Sequence, residues 1–172
     1  MKTLNLWFWI AFSGMALGTE QMLLAAAPPA PPKVFLQLDI GRDKQIISLD
    51  DLKKQLPSAT VKVFNPSYRR KLVYRGFWME DILRATHFPT GKGSQIVFIC
   101  RDGYTAFLSN DWIKKHKWLL AYGEASGPWT PLIQGSQIIS PGPWYLVGSK
   151  KESFGDFPWP YAVVAIKSVS NW

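Results

Sequence analysis

Few side chains in this sequence could carry covalent or metal chemistry. The single cysteine, Cys100, would need to form a thiolate with a nearby base to act as a nucleophile, and the sequence places neither His87 nor His116 beside it. Neither histidine belongs to a C-x-x-C, H-x-H or H-E-x-x-H pattern, so no metal ligand is predicted. Free cysteines are among the most buried residues in proteins. We therefore interpret Cys100 as a buried apolar residue and assign no catalytic residue.

Tryptophan is the side chain that offers most for binding. Trp129, Trp144 and Trp159 each follow a proline, in segments rich in proline and glycine. Rigid aromatic side chains on loops can anchor a protein partner, or stack on a sugar or a flat cofactor. The same side chains can instead pack such loops against an aromatic-rich core, and both interpretations stay open.

The beginning of the chain has the layout of a secretory signal peptide. Lys2 supplies a positive charge, an apolar run covers residues 6–17, and a second short run covers 22–27. Glu20 and Gln21 interrupt these runs, which leaves less than the roughly 20 apolar residues that a membrane span needs. Cleavage after Gly18 or after Ala27 fits the preference for small residues. We expect a periplasmic or secreted protein with no stable membrane span after cleavage.

The remaining sequence is long enough for one domain. We assign residues 1–27 to the signal peptide, 28–32 to a stiff proline-rich spacer and 33–172 to the domain. One cysteine permits no internal disulfide, so packing must stabilise the fold. The formal net charge is +8 and is unchanged by removal of residues 1–27. This charge favours an acidic protein, an anionic membrane surface or an anionic small molecule over nucleic acid; a solvated basic surface without any single partner is the alternative.

The hydrophobic pattern predicts many short strands and a few short helices, which is typical of an α+β, mainly-β domain. Strands are predicted at 34–40, 60–64, 71–74, 118–122 and 162–169. Helices are predicted after Ser48, which can form an N-terminal cap with Asp51, over 78–86, and from Ser109 or Asn110 to about 116. Trp78, Ile82 and Leu83 are expected on one face of the second helix.

A β-hairpin is predicted around Asp102-Gly103, between apolar runs at 95–101 and 104–108. A two-residue turn would pair Cys100 with Thr105 and Phe98 with Phe107. The alternation of side chains would then place Ile96, Phe98, Cys100, Thr105 and Phe107 on one face.

The order of these segments resembles the oxidoreductase molybdopterin-binding domain, which has the sulfite-oxidase-type fold, in its short bacterial exported form. The similar segments are ISLDDLKKQLP at 47–57, YRGFWMEDIL at 74–83, VFICRDGYTAFLS at 97–109 and LLAYG at 119–123. The resemblance implies a mixed, mainly-β domain of that type.

In that family a cysteine thiolate binds molybdenum from the segment before the arginine-glycine pair. The corresponding stretch here, Val61 to Gly76, has no cysteine, and Asn65-Pro66-Ser67 occupies the place of the ligand. Asparagine and serine cannot supply the soft ligand that molybdenum needs. The resemblance therefore implies a relative that binds no metal. We interpret the protein as one without a cofactor, and the alternative is that it binds molybdopterin.

The resemblance also implies a former ligand cleft. It would be lined by residues of the former ligand segment, the Asp-Gly hairpin and a later loop: Asn65, Ser67, Tyr68, Arg69, Arg70, Arg101, Asp102, Tyr104 and Trp129. Arginines there could hold an anionic ligand through paired hydrogen bonds.

Three functions follow from this reasoning. The first is a non-catalytic module that binds a partner in periplasmic electron transfer, such as a cytochrome. The second is a molybdopterin-dependent oxidoreductase with an unusual ligand set. The third is a carbohydrate- or small-ligand-binding domain that uses the proline–tryptophan loops.

Overall fold

The computed structural model describes residues 33–91, 93–149 and 159–169. They belong to one compact unit, Pro32–Trp172, with a mainly-β architecture that also contains three short helices. The predicted signal peptide and spacer, residues 1–32, lie outside the described residues. Within the described ranges, no helix is long and apolar enough to cross a membrane.

A five-stranded sheet forms one layer, in the order β2-β1-β11-β5-β6. Its strands are β1 (Phe35–Ile40), β2 (Asp43–Ser48), β5 (Gln95–Cys100), β6 (Thr105–Ser109) and β11 (Val163–Val169). The pairing of β1 with β11 is parallel and the others are antiparallel. Strands β1, β5, β6 and β11 match sequence expectations. Strand β2 was not predicted, because most of its residues are exposed and polar.

A four-stranded antiparallel sheet forms the second layer, in the order β10-β7-β4-β3. Its strands are β3 (Ala59–Asn65), β4 (Arg70–Trp78), β7 (Trp118–Glu124) and β10 (Tyr145–Gly148). Strand β4 is longer than predicted and crosses β7 very closely. A Cβ atom on Gly76 would lie 2.3 Å from the backbone oxygen of Leu120, so this position requires glycine.

Three helices cover the edges of the core: α1 (Leu49–Gln55), α2 (Met79–Ala85) and α3 (Asn110–Lys115). The predicted caps are confirmed, because Ser48 Oγ accepts the Asp51 N–H and Ser109 Oγ accepts the Trp112 N–H, both at 3.1 Å. The prediction for Trp78 is wrong. Trp78 ends β4 and packs on the outer face of the four-stranded sheet, whereas Ile82 and Leu83 face the main core.

The main core lies between the two sheets, and a second, smaller core lies on the other face of the four-stranded sheet. The first contains Leu38, Phe98, Leu120 and Trp144 among its fully buried side chains. The second is built around Tyr74 and Tyr145. Strands β7 and β10 are therefore buried on both faces of the four-stranded sheet, whereas β3 keeps Thr60 and Lys62 exposed at its edge.

The predicted β5–β6 hairpin is confirmed, but its register is wrong by one residue. Val97, not Phe98, pairs with Phe107, and Ile99 pairs with Thr105. Arg101-Asp102-Gly103 forms a three-residue loop, in which Gly103 has φ +86° and neither of the other two has positive φ. A type I′ turn needs positive φ at both central residues, so it does not form. Phe107 consequently lies on the outer face and is 56% exposed.

A separate two-stranded sheet was also not predicted. Strands β8 (Leu132–Gln134) and β9 (Gln137–Ile139) pair with each other and with neither larger sheet. They lie within the proline-rich part of the sequence, where glycine and proline interrupt the hydrophobic pattern from which short strands are predicted.

Candidate functional site

Asn65 ends β3 at the position where the resemblance places a metal ligand, and its amide is fully engaged within the protein. Its side chain is completely buried. Nδ2 donates to the hydroxyl oxygens of Tyr74 at 2.7 Å and Tyr145 at 2.9 Å. Oδ1 accepts the backbone N–H groups of Ser67 at 2.9 Å and Tyr68 at 3.4 Å. An asparagine amide has two donors and two acceptor positions, and all four are used. We call these five residues the Asn65 network.

A second set of hydrogen bonds ties the loop after β7 to the same end of the sheet. The buried carboxylate of Glu124 accepts the backbone N–H of Thr130 at 2.7 Å and its hydroxyl at 2.9 Å. The Tyr68 hydroxyl donates to the Thr130 backbone oxygen. Arg70 Nη2 lies 3.3 Å from Thr130 Oγ1. These contacts hold the loop and the β3–β4 turn together.

Aromatic rings fill the space above the network. Trp129 lies 6.4 Å from Tyr74 and 6.5 Å from Tyr145, measured between ring centroids. Trp159 contacts Tyr145 at 6.4 Å in an edge-on geometry. Gly142 lies so close to Trp129 that a Cβ atom there would be 2.4 Å from the indole nitrogen. This region therefore resembles a packed core more than an open cleft.

Burial changes the acid–base properties of the tyrosines. Desolvation raises the pKa of Tyr74 and of Tyr68 well above the ordinary tyrosine value, and the neighbouring Tyr145 adds to both shifts. Burial also raises the pKa of Tyr145, and hydrogen bonds to Asn65 and Ser67 oppose that shift only in part. All three hydroxyls therefore stay protonated and act as hydrogen-bonding groups across the neutral pH range.

The residues at this position do not fit a molybdenum site. The Asn65 amide has no unused donor or acceptor, and no group of three or more His, Cys, Asp or Glu side chains suited to a metal occurs in the described residues. Cys100 lies in the main core on the other sheet. Burial raises the pKa of its thiol to about 11, with a smaller contribution from Asp102. The thiolate that the metal needs is therefore not available there either.

The nine residues of the predicted cleft fall into two groups. Asn65, Ser67 and Tyr68 belong to the Asn65 network, and Arg70 and Trp129 lie beside it. Arg69 is adjacent in sequence, but its side chain is exposed on the turn, where its backbone has φ +51°.

The second group, Arg101, Asp102 and Tyr104, lies on the β5–β6 loop. Arg101 and Asp102 line a cavity of about 440 Å³ with Gln134, Ile138 and Tyr161. Tyr104 lines an adjoining depression with Asp102 and Tyr161. Tyr161 is also in edge-on contact with Tyr145, at 6.3 Å between ring centroids. One tyrosine thus contacts the Asn65 network and lines the cavity.

Strands β8 and β9 border this cavity and present two exposed isoleucines. Ile133 and Ile138 are direct cross-strand partners, and they are 79% and 78% exposed. No other large apolar side chain in the described residues is as exposed. Tyr104, which is 51% exposed, shares the neighbours Asp102 and Tyr161 with Ile138. We call β8 and β9 with their connecting turn, residues 132–139, the isoleucine hairpin; sequence analysis missed it.

The proline–tryptophan loops do not present three exposed rings. Trp144 is fully buried, and its indole N–H donates to the Phe35 backbone oxygen at 2.9 Å. Trp129 and Trp159 are partly buried against the second core. Of the two interpretations of these tryptophans, packing against the core is therefore the one that holds for Trp144, because its ring lies among the buried side chains of the main core.

No protein-family model matches this chain, and no curated protein matches it either.

Proposed function

We propose that this protein is an exported, non-catalytic relative of the molybdopterin-binding oxidoreductases, with a sulfite-oxidase-type fold, and that it binds a protein partner through the isoleucine hairpin. The observation that carries the proposal is the exposed pair Ile133 and Ile138. Single exposed apolar residues are common on proteins, whereas adjacent ones beside a cavity are typical of interaction surfaces.

The use of all four hydrogen-bonding positions of Asn65 supports the non-catalytic part of the proposal. An enzyme of this type would need a ligand at this position that can bind the metal. Here the same position stabilises the β3–β4 turn and two buried tyrosines.

The charge and the cavity support an acidic partner. The chain carries a formal net charge of +8, which attracts an acidic protein and speeds its association. Arg101 borders the cavity beside Ile138 and can pair with a partner carboxylate. The partner class that we propose is a periplasmic electron-transfer protein, such as an acidic c-type cytochrome.

The test measures the dissociation constant between the purified mature domain and a purified acidic c-type cytochrome by calorimetry. We expect binding that weakens as salt is added, and a loss of tenfold or more in affinity for the double variant Ile133→Ser/Ile138→Ser. Ile46→Ser is the matched control, because Ile46 is 67% exposed but lies on β2. The proposal fails if the native domain does not bind, or if the control weakens binding as much as the double variant does.

A further inference from the structure

One face of the paired strands β3 and β4 is covered by neither hydrophobic core. Side chains alternate along both strands, so Val63, Leu72 and Tyr74 enter the second core and their sequence neighbours point the other way. The direct cross-strand pairs on that other face are Phe64 with Lys71, Lys62 with Val73, and Thr60 with Arg75. None of these six residues belongs to either core, and all except the half-buried Val73 are exposed. We call these six residues the basic face.

The basic face carries three positive charges, on Lys62, Lys71 and Arg75, and no negative charge. Glu124 is the only acidic residue in β3, β4 and β7. It is the cross-strand partner of Tyr74, so it is buried on the opposite side of the sheet. None of the three cations forms an ion pair within the described part of the chain. Their charges are therefore available to an anionic partner.

The spacing of the three cations suits an extended anionic surface. Lys71 and Arg75 are four residues apart on β4, which separates them by about 13 Å. Lys62 lies diagonally across from each of them, at about 7–8 Å. A site for one small anion brings its polar groups together within a cleft. Three cations spread over two strands instead match a surface that carries many negative charges.

Apolar side chains lie between these cations. Phe64 is 44% exposed and is the direct partner of Lys71, and Val73 is the direct partner of Lys62. Helices that lie on membranes combine the same two kinds of side chain: Lys and Arg meet the lipid phosphates, and an aromatic ring enters the boundary between headgroups and acyl chains. A soluble acidic partner would use the cations but does not need the ring, so this combination favours a membrane.

We propose that the basic face binds the surface of an anionic phospholipid membrane. Lys62, Lys71 and Arg75 contact the lipid phosphates, and the Phe64 ring enters the headgroup region. Because β3 is the edge strand of its sheet, no further strand of the sheet lies beyond it. The basic face shares no residue with the isoleucine hairpin, so this proposal does not rest on the proposed function.

The first test measures cosedimentation of the domain, residues 33–172, with lipid vesicles. This part of the chain forms a compact unit that contains both cores, and it lacks the apolar segment 6–17, which would itself bind lipid. We expect binding to vesicles of equal parts phosphatidylglycerol and phosphatidylcholine, weakened by added salt, and little binding to phosphatidylcholine alone. The proposal is overturned if the domain binds neither vesicle or both equally, or if it binds soluble polyglutamate as tightly as the anionic vesicles.

The second test removes the three cations. Each should strengthen binding about fivefold, so Lys62→Gln/Lys71→Gln/Arg75→Gln should bind the anionic vesicles about a hundredfold more weakly. The matched control, Arg42→Gln/Lys44→Gln/Lys114→Gln, removes the same charge from exposed residues outside the basic face, and it should bind nearly as well as the native domain. An equal loss for both variants would show that only the net charge matters and would contradict the proposal.

The third test concerns the ring. Phe64→Ser should weaken binding to the anionic vesicles about fivefold, because the exposed part of the ring no longer leaves water. Phe107→Ser is the matched control, since Phe107 is 56% exposed but lies on β6. Equal affinities for these two variants would contradict insertion of Phe64. The variant Ile133→Ser/Ile138→Ser should bind the vesicles as the native domain does, so failure of this proposal is distinguishable from failure of the partner surface.

Discussion

The Asn65 network and the isoleucine hairpin differ in whether their side chains find partners within the protein. In the network, every hydrogen-bonding position of a buried amide has a partner inside the protein, and aromatic rings cover it. In the hairpin, two paired isoleucines project into solvent beside a cavity of about 440 Å³. Tyr161 contacts the first region and lines the second.

This difference separates stability from binding. A fully satisfied buried network contributes to the stability of the native state and offers nothing to a ligand. An exposed apolar pair contributes little to stability, and its burial by a partner is favourable by about 1.5–3 kcal/mol for each fully covered isoleucine. Substitutions in the two regions should therefore have opposite consequences.

The largest effect on stability is expected for Asn65→Ala. This change leaves two tyrosine hydroxyls and two backbone N–H groups without their partner in a buried site. We expect the free energy of unfolding to fall by about 3 kcal/mol, as measured by urea denaturation.

A double-mutant cycle with Tyr145→Phe identifies the cause of that loss. If the Asn65–Tyr145 hydrogen bond matters, the double variant is less destabilised than the sum of the two single variants. Strict additivity would show that Asn65 stabilises the fold without this hydrogen bond.

The second-largest effect on stability is expected at alkaline pH, which should weaken the Asn65 network. The pKa values of Tyr74 and Tyr145 are raised in the folded state above their ordinary value of 10.0. The contribution of these tyrosines to the free energy of unfolding is therefore complete below about pH 10. It is lost as the pH rises further, by about 1.4 kcal/mol per pH unit for each tyrosine. Urea denaturation at several alkaline pH values measures this slope.

The variants Tyr74→Phe and Tyr145→Phe should each reduce the alkaline slope. Tyr104→Phe is the control, because Tyr104 is exposed and outside the network. A slope that responds equally to all three substitutions would contradict the assignment.

The smallest effect on stability is expected for Ile133→Ser/Ile138→Ser. Both side chains are mostly exposed, so the free energy of unfolding should change by less than about 1 kcal/mol. The same double variant should show the loss of partner binding described above. A large destabilisation would mean that the isoleucines pack within the fold and are not reserved for a partner.

Local sequence signals predicted most of the fold. The caps at Ser48 and Ser109 were correct because serine side chains satisfy helix N–H groups within three residues. The register of β5–β6 was wrong because Asp-Gly also suits a three-residue loop with glycine in the left-handed region, and only the backbone angles distinguish the two.

The sites were harder to predict because they depend on contacts that are distant in sequence. Because position 65 is an asparagine, the sequence indicated that the cysteine thiolate implied by the resemblance was missing. The hydrogen bond between Asn65 and Tyr145 joins residues that are 80 positions apart, and no local sequence pattern indicates it. The exposure of Ile133 and Ile138 could not be inferred either, because β8 and β9 each have two adjacent apolar residues that point to opposite faces, and the sequence does not show which face is covered.

The molybdenum content of the purified protein tests the central claim most directly. The full chain, residues 1–172, is expressed in a molybdenum-replete host with intact cofactor synthesis, and the purified protein is analysed by mass spectrometry. Because Asn65 is fully engaged by Tyr74, Tyr145 and the β3–β4 turn, we predict no bound molybdenum. About one molybdenum atom per chain would contradict the account and show that this fold holds the metal through a different ligand.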